Sequence, residues 1–280
     1  MTDLYHFGLV GHNVAYSKSS EIFQAVFDHL KIIGRFELFD IRPEQFADDF
    51  QKLALSGVQG LSVTIPYKKE VISYLNDLDP VAQALEAVNS IHLDGGKLCG
   101  FNTDCYGFSL ALRSHAERLK SGSALILGCG GGARAVVYAL YTDYEIKSCT
   151  VVGRDSERLR SFKQSLSGHL PNIEINTRRI GTGKPPRRYA WDIVANCTPL
   201  GGFNHPDESP LPAWLDWSAM RIYYDLSYNP DNKLVAAARE AEVVAIDGSA
   251  MLVGQALRSF YLWTGTKLPF EPIYKDVFGR

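Results

Sequence analysis

The sequence predicts an α/β protein of two domains, and three observations carry that expectation. Its 280 residues exceed the size at which a single hydrophobic core usually keeps growing. Short apolar runs alternate with segments of helical periodicity along most of the chain, the pattern of strands joined by helical crossovers. One apolar run, residues 124–127, leads straight into Gly128-Cys129-Gly130-Gly131-Gly132 and then a helical stretch. That is the strand–turn–helix setting of a nucleotide-binding fold.

Residues 5–10, 35–41 and 58–65 read as strands, and 21–30 and 44–55 carry apolar residues at helical spacing. Such alternation predicts parallel pairing through right-handed crossovers. Residues 104–120 read as one long amphipathic helix stopped by Ser121-Gly122, of a length that often joins domains. A second series of strands is expected at 124–127, 149–152, 174–177, 193–196, 222–226 and 243–246, with helices at 133–141 and 233–241. Six parallel strands under helices make the doubly wound plan. Residues 181–188 and 201–212, rich in glycine and proline, read as exposed loops. After Gly248 an apolar helix over 251–263 is followed by a proline-bearing tail. The expected organisation is an N-terminal αβα domain over 1–104, completed by 249–280 with the C-terminal helix. A Rossmann-like, doubly wound dinucleotide-binding domain occupies 105–248.

Composition narrows the function classes. With 46% hydrophobic and 21% charged residues the chain is of ordinary globular type. A formal net charge of −2 lacks the electrostatic footprint of a nucleic-acid binder. No apolar run is long enough for a bilayer, and Met1-Thr2-Asp3-Leu4 does not open a secretory signal, so a cytoplasmic location is expected. Cys99, Cys105, Cys129, Cys149 and Cys197 are odd in number and lack metal-ligand spacing. They read as buried free thiols, and no metal is expected.

Within the glycine cluster, Gly128, Gly130 and Ala133 fit Gly-x-Gly-x-x-Gly/Ala. The first glycine makes the tight turn, the second admits the pyrophosphate, and the small third residue lets helix and strand pack closely. Helix N–H groups then face the phosphates. The second strand ends at Gly153-Arg154-Asp155, with Arg158 one turn on. An NAD enzyme usually places an acid there for the ribose, whereas Arg154 suits the extra phosphate of NADP. A solvated loop arginine is the alternative, and Asp155 stands beside it.

Seven further fragments, in order, carry a family likeness. They are Ser17-Lys18-Ser19, Val63-Thr64-Ile65-Pro66-Tyr67-Lys68, Ala87-Val88-Asn89-Ser90, Asn102-Thr103-Asp104, Asn196-Cys197-Thr198-Pro199-Leu200-Gly201, Asp225-Leu226-Ser227-Tyr228 and Met251-Leu252-Val253-Gly254-Gln255-Ala256. With the glycine turn among them, the set resembles the shikimate dehydrogenase family over almost the whole chain. The resemblance implies reversible, NADP-linked reduction of 3-dehydroshikimate to shikimate, at a cleft between two domains. It assigns acid–base catalysis to Lys68 with Asp104 beside it. The substrate carboxylate falls to Ser17 and Ser19, and ring hydroxyls to Thr64, Asn89, Asp104, Tyr228 and Gln255. Cofactor contacts fall to Gly128, Cys129, Gly130, Gly131, Gly132, Gly153, Arg154, Asp155, Arg158, Leu226 and Gly248.

The chemistry agrees with those roles. Ketone reduction needs a proton donor at the carbonyl oxygen, and a carboxylate can orient a lysine for that task. Taken singly, Lys68 reads as a surface lysine opening a helix, Asp104 as a helix N-cap, and Ser19 or Ser20 as the cap of the 21–30 helix. The chain departs from the family pattern at Asn13, Tyr16, Ser20, Phe23 and Ser62. A quinate or quinate/shikimate dehydrogenase is therefore an alternative, as is a non-catalytic NADPH-binding regulator. The expected partner is a small-molecule substrate, with neither nucleic acid nor membrane, and the chain alone leaves monomer and homodimer open.

Overall fold

The computed structural model describes residues 4–181 and 190–279. Apart from Gly181, the loop expected at 181–188 lies outside the described residues. The chain divides into two compact units, Met1–Gly107 with Leu252–Arg280, and Phe108–Met251.

The first unit begins β1 (Tyr5–Gly11), α1 (Ser19–Leu30), β2 (Gly34–Asp40), α2 (Phe46–Ala54) and β3 (Gly60–Val63). It continues with β4 (Asp77–Leu78), α3 (Pro80–Leu85), β5 (Ser90–Asp94) and β6 (Lys97–Phe101). The sheet order is β2-β1-β3-β5-β6-β4. Parallel pairing holds for β1 with β2 and β3 and for the short β4 with β6, but β5 runs antiparallel to both β3 and β6. The reason is local. Gly95 and Gly96 have φ of 55° and 83°, so a two-residue turn closes a β5–β6 hairpin where a crossover would need a dozen residues.

Strand alternation sends Phe7 and Val10 of β1 to opposite faces of this sheet. Val10 joins Phe46, Phe50, Leu61, Val63 and Tyr67 on one side. Phe7 joins Ile22, Phe23 and Phe27 of α1 on the other, together with Val253, Phe260, Trp263 and Ile273 from the end of the chain. The proline-bearing tail is helical. After α9 (Ser249–Thr264) it forms α10 (Phe270–Phe278), which packs on α1. Pro269 is its N-cap and Pro272 lies in its first turn, where a missing N–H costs no helix bond. Phe270, Ile273, Tyr274 and Val277 then recur at helical spacing.

Residues 104–120, where the first unit gives way to the second, do not form one helix. They make α4 (Asp104–Leu112), a 3₁₀ turn Arg113–His115, and α5 (Ala116–Leu119). Ser114 and His115 are weak helix formers, and the backbone leaves the helical region at His115, with φ −111° and ψ 5°. Next come β7 (Ser123–Leu127), α6 (Gly131–Tyr144), β8 (Ser148–Gly153), α7 (Ser156–Ser167), β9 (Glu174–Arg179), β10 (Trp191–Asn196), β11 (Met220–Asp225), α8 (Lys233–Glu240) and β12 (Val244–Ile246). The order β12-β11-β10-β7-β8-β9, parallel throughout, is the doubly wound arrangement. Strand order reverses between β7 and β10, so the ligand crevice of such a sheet opens outside the carboxyl end of β7. All five cysteines are free thiols, but only Cys105 and Cys149 are fully buried.

Candidate active site

Sheet topology explains how fragments far apart in sequence meet in the first unit. β1 and β3 are parallel and end at one edge of the sheet. Because β5 is antiparallel to β3, Ser62 pairs with Ser90 and β5 starts at that edge; Phe101 pairs with Ser90, so β6 ends there too. The turns after β1 and β3, the residue before β5 and the residues after β6 therefore share one rim. Backbone bonds lock them together: Thr64 N–H donates to Val10 O at 2.9 Å, Val88 N–H to Lys68 O at 2.7 Å, and Asn89 N–H to Phe101 O at 3.0 Å. The turn bearing Lys68 is anchored by Tyr67, which is fully buried, stacks on Phe46 and donates to Ile41 O at 2.5 Å.

On this rim Lys68 Nζ donates to Asp104 Oδ2 at 2.5 Å. The Lys68 side chain is 20% exposed against 7% for Asp104, so the lysine is the more accessible member of the pair. Asp104 opens α4, and its other oxygen accepts from Asn89 Nδ2 at 2.8 Å. The carboxylate is thus occupied by two side chains, a more specific arrangement than the N-cap that Asp104 alone suggests. Asn89 Nδ2 also donates to Thr103 Oγ1 at 3.0 Å and lies 3.4 Å from Gln255 Oε1, while Asn89 Oδ1 accepts from Thr103 N–H at 2.6 Å. Asn102 completes the support: its Oδ1 accepts from Asp104 N–H, and its Nδ2 donates to Ala87 O.

Ser17 and Ser19 are hydrogen-bonded to each other, Oγ to Oγ at 3.0 Å. Capping of α1 by Ser19 or Ser20 does not occur. The helix starts at Ser19, and its N-cap, Lys18, makes no side-chain cap bond. Thr64 packs at the end of β1: a Cβ on Gly11 would lie 2.5 Å from Thr64 Cγ2 and 2.4 Å from Val14, whose carbonyl accepts from Ser17 N–H. Tyr228 belongs to the second unit and packs edge-on against Phe203.

In that second unit, Gly128 adopts φ 103° and donates its N–H to Val152 O at 2.8 Å, which makes the tight turn after β7. A Cβ there would meet Thr198 at 3.0 Å, and one on Gly132 would meet Leu226 at 3.2 Å. Gly130, the N-cap of α6, is different. Its φ is −91°, and a Cβ would meet nothing within 4 Å. Packing does not call for glycine at that point, glycine is a common N-cap, and the backbone there is open to solvent. Gly248 is required by its neighbours, because a Cβ would fall 2.1 Å from Leu226 O. Cys129 faces inward near Gly153, and burial pushes its thiol up.

Arg154 and Arg158 are exposed at the end of β8. Asp155 caps α7: its Oδ1 accepts from Glu157 and Arg158 N–H at 2.8 and 3.1 Å, bonds that hold its carboxyl below the usual range. Behind the turn, buried Asp225 accepts from Asn196 Nδ2, Tyr223 OH and Ser227 N–H at 2.8–2.9 Å. Burial raises its carboxyl, and these donors pull the other way. Asn196 also accepts from Thr198 N–H and Oγ–H. The network therefore fixes the two loops that wall in Gly128 and Gly132.

Two family models match the chain: the shikimate dehydrogenase substrate binding domain over residues 9–91, and the shikimate 5′-dehydrogenase C-terminal domain over 248–278. The shikimate dehydrogenase (NADP(+)) of Chlorobaculum tepidum is 35% identical over 280 residues, spanning 98% of this chain and 95% of that one. The chain belongs to the shikimate dehydrogenase family. Another shikimate dehydrogenase (NADP(+)), from Pelodictyon phaeoclathratiforme, is 34% identical and covers 96% of this chain and 95% of its own. Among solved structures, a shikimate dehydrogenase in complex with NADP+ superposes with a TM-score of 0.86 at 28% identity, covering 100% and 97% of the two chains. The Thermus thermophilus enzyme in complex with NADP(H) and shikimate gives 0.82 at 27%, covering 98% of each.

For a shikimate dehydrogenase family member, the sequence reading passed over some supporting residues. Ser259 lies 3.1 Å from Thr103 Oγ1 and donates to Gln255 O. Its spacing of four from Gln255 on one helix face was the available signal. Arg179 ends β9 and donates from Nε to Arg154 O at 3.1 Å. Nothing local in the sequence singles it out, because its position depends on strand pairing. Among the described residues no group of three or more His, Cys, Asp or Glu side chains could hold a metal ion, and no helix is long and apolar enough to cross a membrane.

Proposed function

We propose that this chain is an NADP-dependent shikimate dehydrogenase, reversibly reducing 3-dehydroshikimate to shikimate in aromatic amino acid biosynthesis. The observation that carries the reading is the Lys68–Asp104 contact, set in the Asn89–Gln255 network on the sheet rim. Lys68 is the proton donor to the ketone oxygen and takes that proton back in the reverse direction. Asp104 holds the ammonium in place, and its oxygens retain lone pairs that can also accept from a ring hydroxyl. Asn89, Thr64 and Gln255 offer the donors and acceptors that a polyhydroxylated ring needs. Ser17 and Ser19 already bond to each other, and a substrate carboxylate would replace that mutual bond with two hydroxyl donors. In the second unit Tyr228 is assigned to the substrate as well.

The glycine turn fits a dinucleotide, given the open backbone at Gly130. Gly128 to Gly132, with Cys129, would hold the pyrophosphate, and Gly153, Arg154, Asp155 and Arg158 would surround the adenosine phosphate. Leu226 and Gly248 would meet the nicotinamide end. Bound NADPH supplies the hydride. The reading includes a cytoplasmic location and a homodimer, the latter to be measured by sedimentation velocity.

Steady-state assays with shikimate and with quinate, each against NADP and NAD, test the function. The expected result is turnover of shikimate with NADP well above the other three combinations. Turnover of quinate at equal or greater efficiency would replace the substrate assignment, and binding of NADPH without turnover of either would retire the enzyme reading.

A further inference from the structure

β8 and β9 run parallel with Gly153 opposite Arg179, so the two strands end side by side. Ile180 N–H donates to Gly153 O at 2.8 Å and Arg179 Nε–H to Arg154 O at 3.1 Å, which ties the Arg179 side chain to the backbone of Arg154. Both arginines are exposed there. Charge makes the juxtaposition matter. At the end of β8 and in the first turn of α7, Arg154 and Arg158 are balanced by Asp155 and Glu157. Asp155 stays ionised, because the Arg158 and Glu157 N–H groups lower its carboxyl, with the charges of Arg158 and Arg179 acting in the same sense. A phosphate monoester carries about −1.5 to −2 at neutral pH and gains little from a patch of zero formal charge. Among the described residues at these two strand ends, Arg179 adds a positive charge to that balanced set.

We infer that Arg179 is a third cation for the 2′-phosphate of NADP and sets cofactor preference jointly with Arg154. The inference rests on the NADP reading above and adds a determinant from the third strand of the sheet, outside the glycine turn and the β8 end.

The test is calorimetric binding of adenosine 2′,5′-bisphosphate and of adenosine 5′-monophosphate to the full chain, its Arg179→Ala variant and its Arg179→Gln variant. Glutamine keeps a neutral donor for the Arg154 carbonyl while removing the charge. Both variants should bind the bisphosphate roughly tenfold or more weakly, the scale of one charge-assisted hydrogen bond, with monophosphate affinity unchanged. The KM for NADP should rise in step and the KM for NAD should not. If Arg179→Gln binds the bisphosphate as the parent does, Arg179 only tethers Arg154 and the inference is overturned. It is equally overturned, alone, if the parent prefers the bisphosphate and neither variant loses that preference. A parent that binds both nucleotides equally would overturn the NADP reading itself, and this inference with it.

Discussion

Lys68 and Asp104 are joined by a single 2.5 Å contact, and the proposed chemistry concentrates there. Acid–base groups contribute on the order of 100- to 10,000-fold in rate. Lys68→Ala should therefore lower kcat by a factor in that range while the KM for shikimate moves much less. Asp104→Ala should lower kcat and also weaken binding, and the double variant should be little worse than Lys68→Ala, as expected of residues that act as one unit. A Lys68→Ala protein that turns over within a few-fold of the parent would end this assignment. Ser17→Ala/Ser19→Ala should bind shikimate more weakly with NADP affinity unchanged, and Ser19→Ala alone, which leaves the Ser17 Oγ bond to the first N–H of α1, should do so without lowering the thermal midpoint. Arg154→Ala should raise the KM for NADP by about 1.5–3 kcal/mol equivalent and leave that for NAD nearly unmoved, measured by paired kinetics.

At the scale of elements, α7 offers a pH-dependent prediction. The Asp155 carboxyl is lowered in the folded state by the two N–H groups it caps. Its contribution is therefore present above the unfolded carboxylate value, near 4, and is lost as pH falls through the folded one. Asp155→Ala should unfold at lower urea than the parent at pH 7, with the gap closing on acidification; a gap independent of pH would show that the cap carries no charge. What could be read in advance also divides at this scale. The strands of the second unit were legible because most are short apolar runs between turn residues; β9, Glu174–Arg179, has one apolar residue and follows from the strand–helix alternation. α10 was not, because its prolines read as breakers although both lie before the first internal bond. The split of residues 104–120 was hidden too, since apolar spacing continues through Ser114 and His115 while the backbone does not. The antiparallel β5–β6 hairpin was not among the expected elements, although Gly95-Gly96 between two short runs is a hairpin signal. In the site, residue identity could be read from fragments; Ser259 had only its spacing from Gln255 to mark it, and Arg179 enters only through strand pairing.

For the whole molecule, the second unit is one continuous stretch, Phe108–Met251, containing all six strands of its sheet. Expressed alone, that stretch should fold and bind adenosine 2′,5′-bisphosphate within a few-fold of the full chain; an unfolded fragment by circular dichroism would show that the units depend on each other for stability. The first unit has no such independence. Its sheet face at Phe7, Phe23 and Phe27 is closed by Phe260, Trp263 and Ile273, and Gly60 is glycine because the Trp263 ring occupies the place of a side chain, 2.3 Å from a Cβ. On the ribosome this arrangement has a temporal meaning. The first hundred residues emerge early yet must wait, with an aromatic face uncovered, until translation passes residue 252 and supplies the two covering helices. Gln255, which joins the Asn89 network, is delivered in the same final stretch. The polypeptide thus acquires its nucleotide unit before its substrate rim, and a nascent chain released by a premature stop ahead of residue 252 would expose that aromatic face to chaperones and proteases.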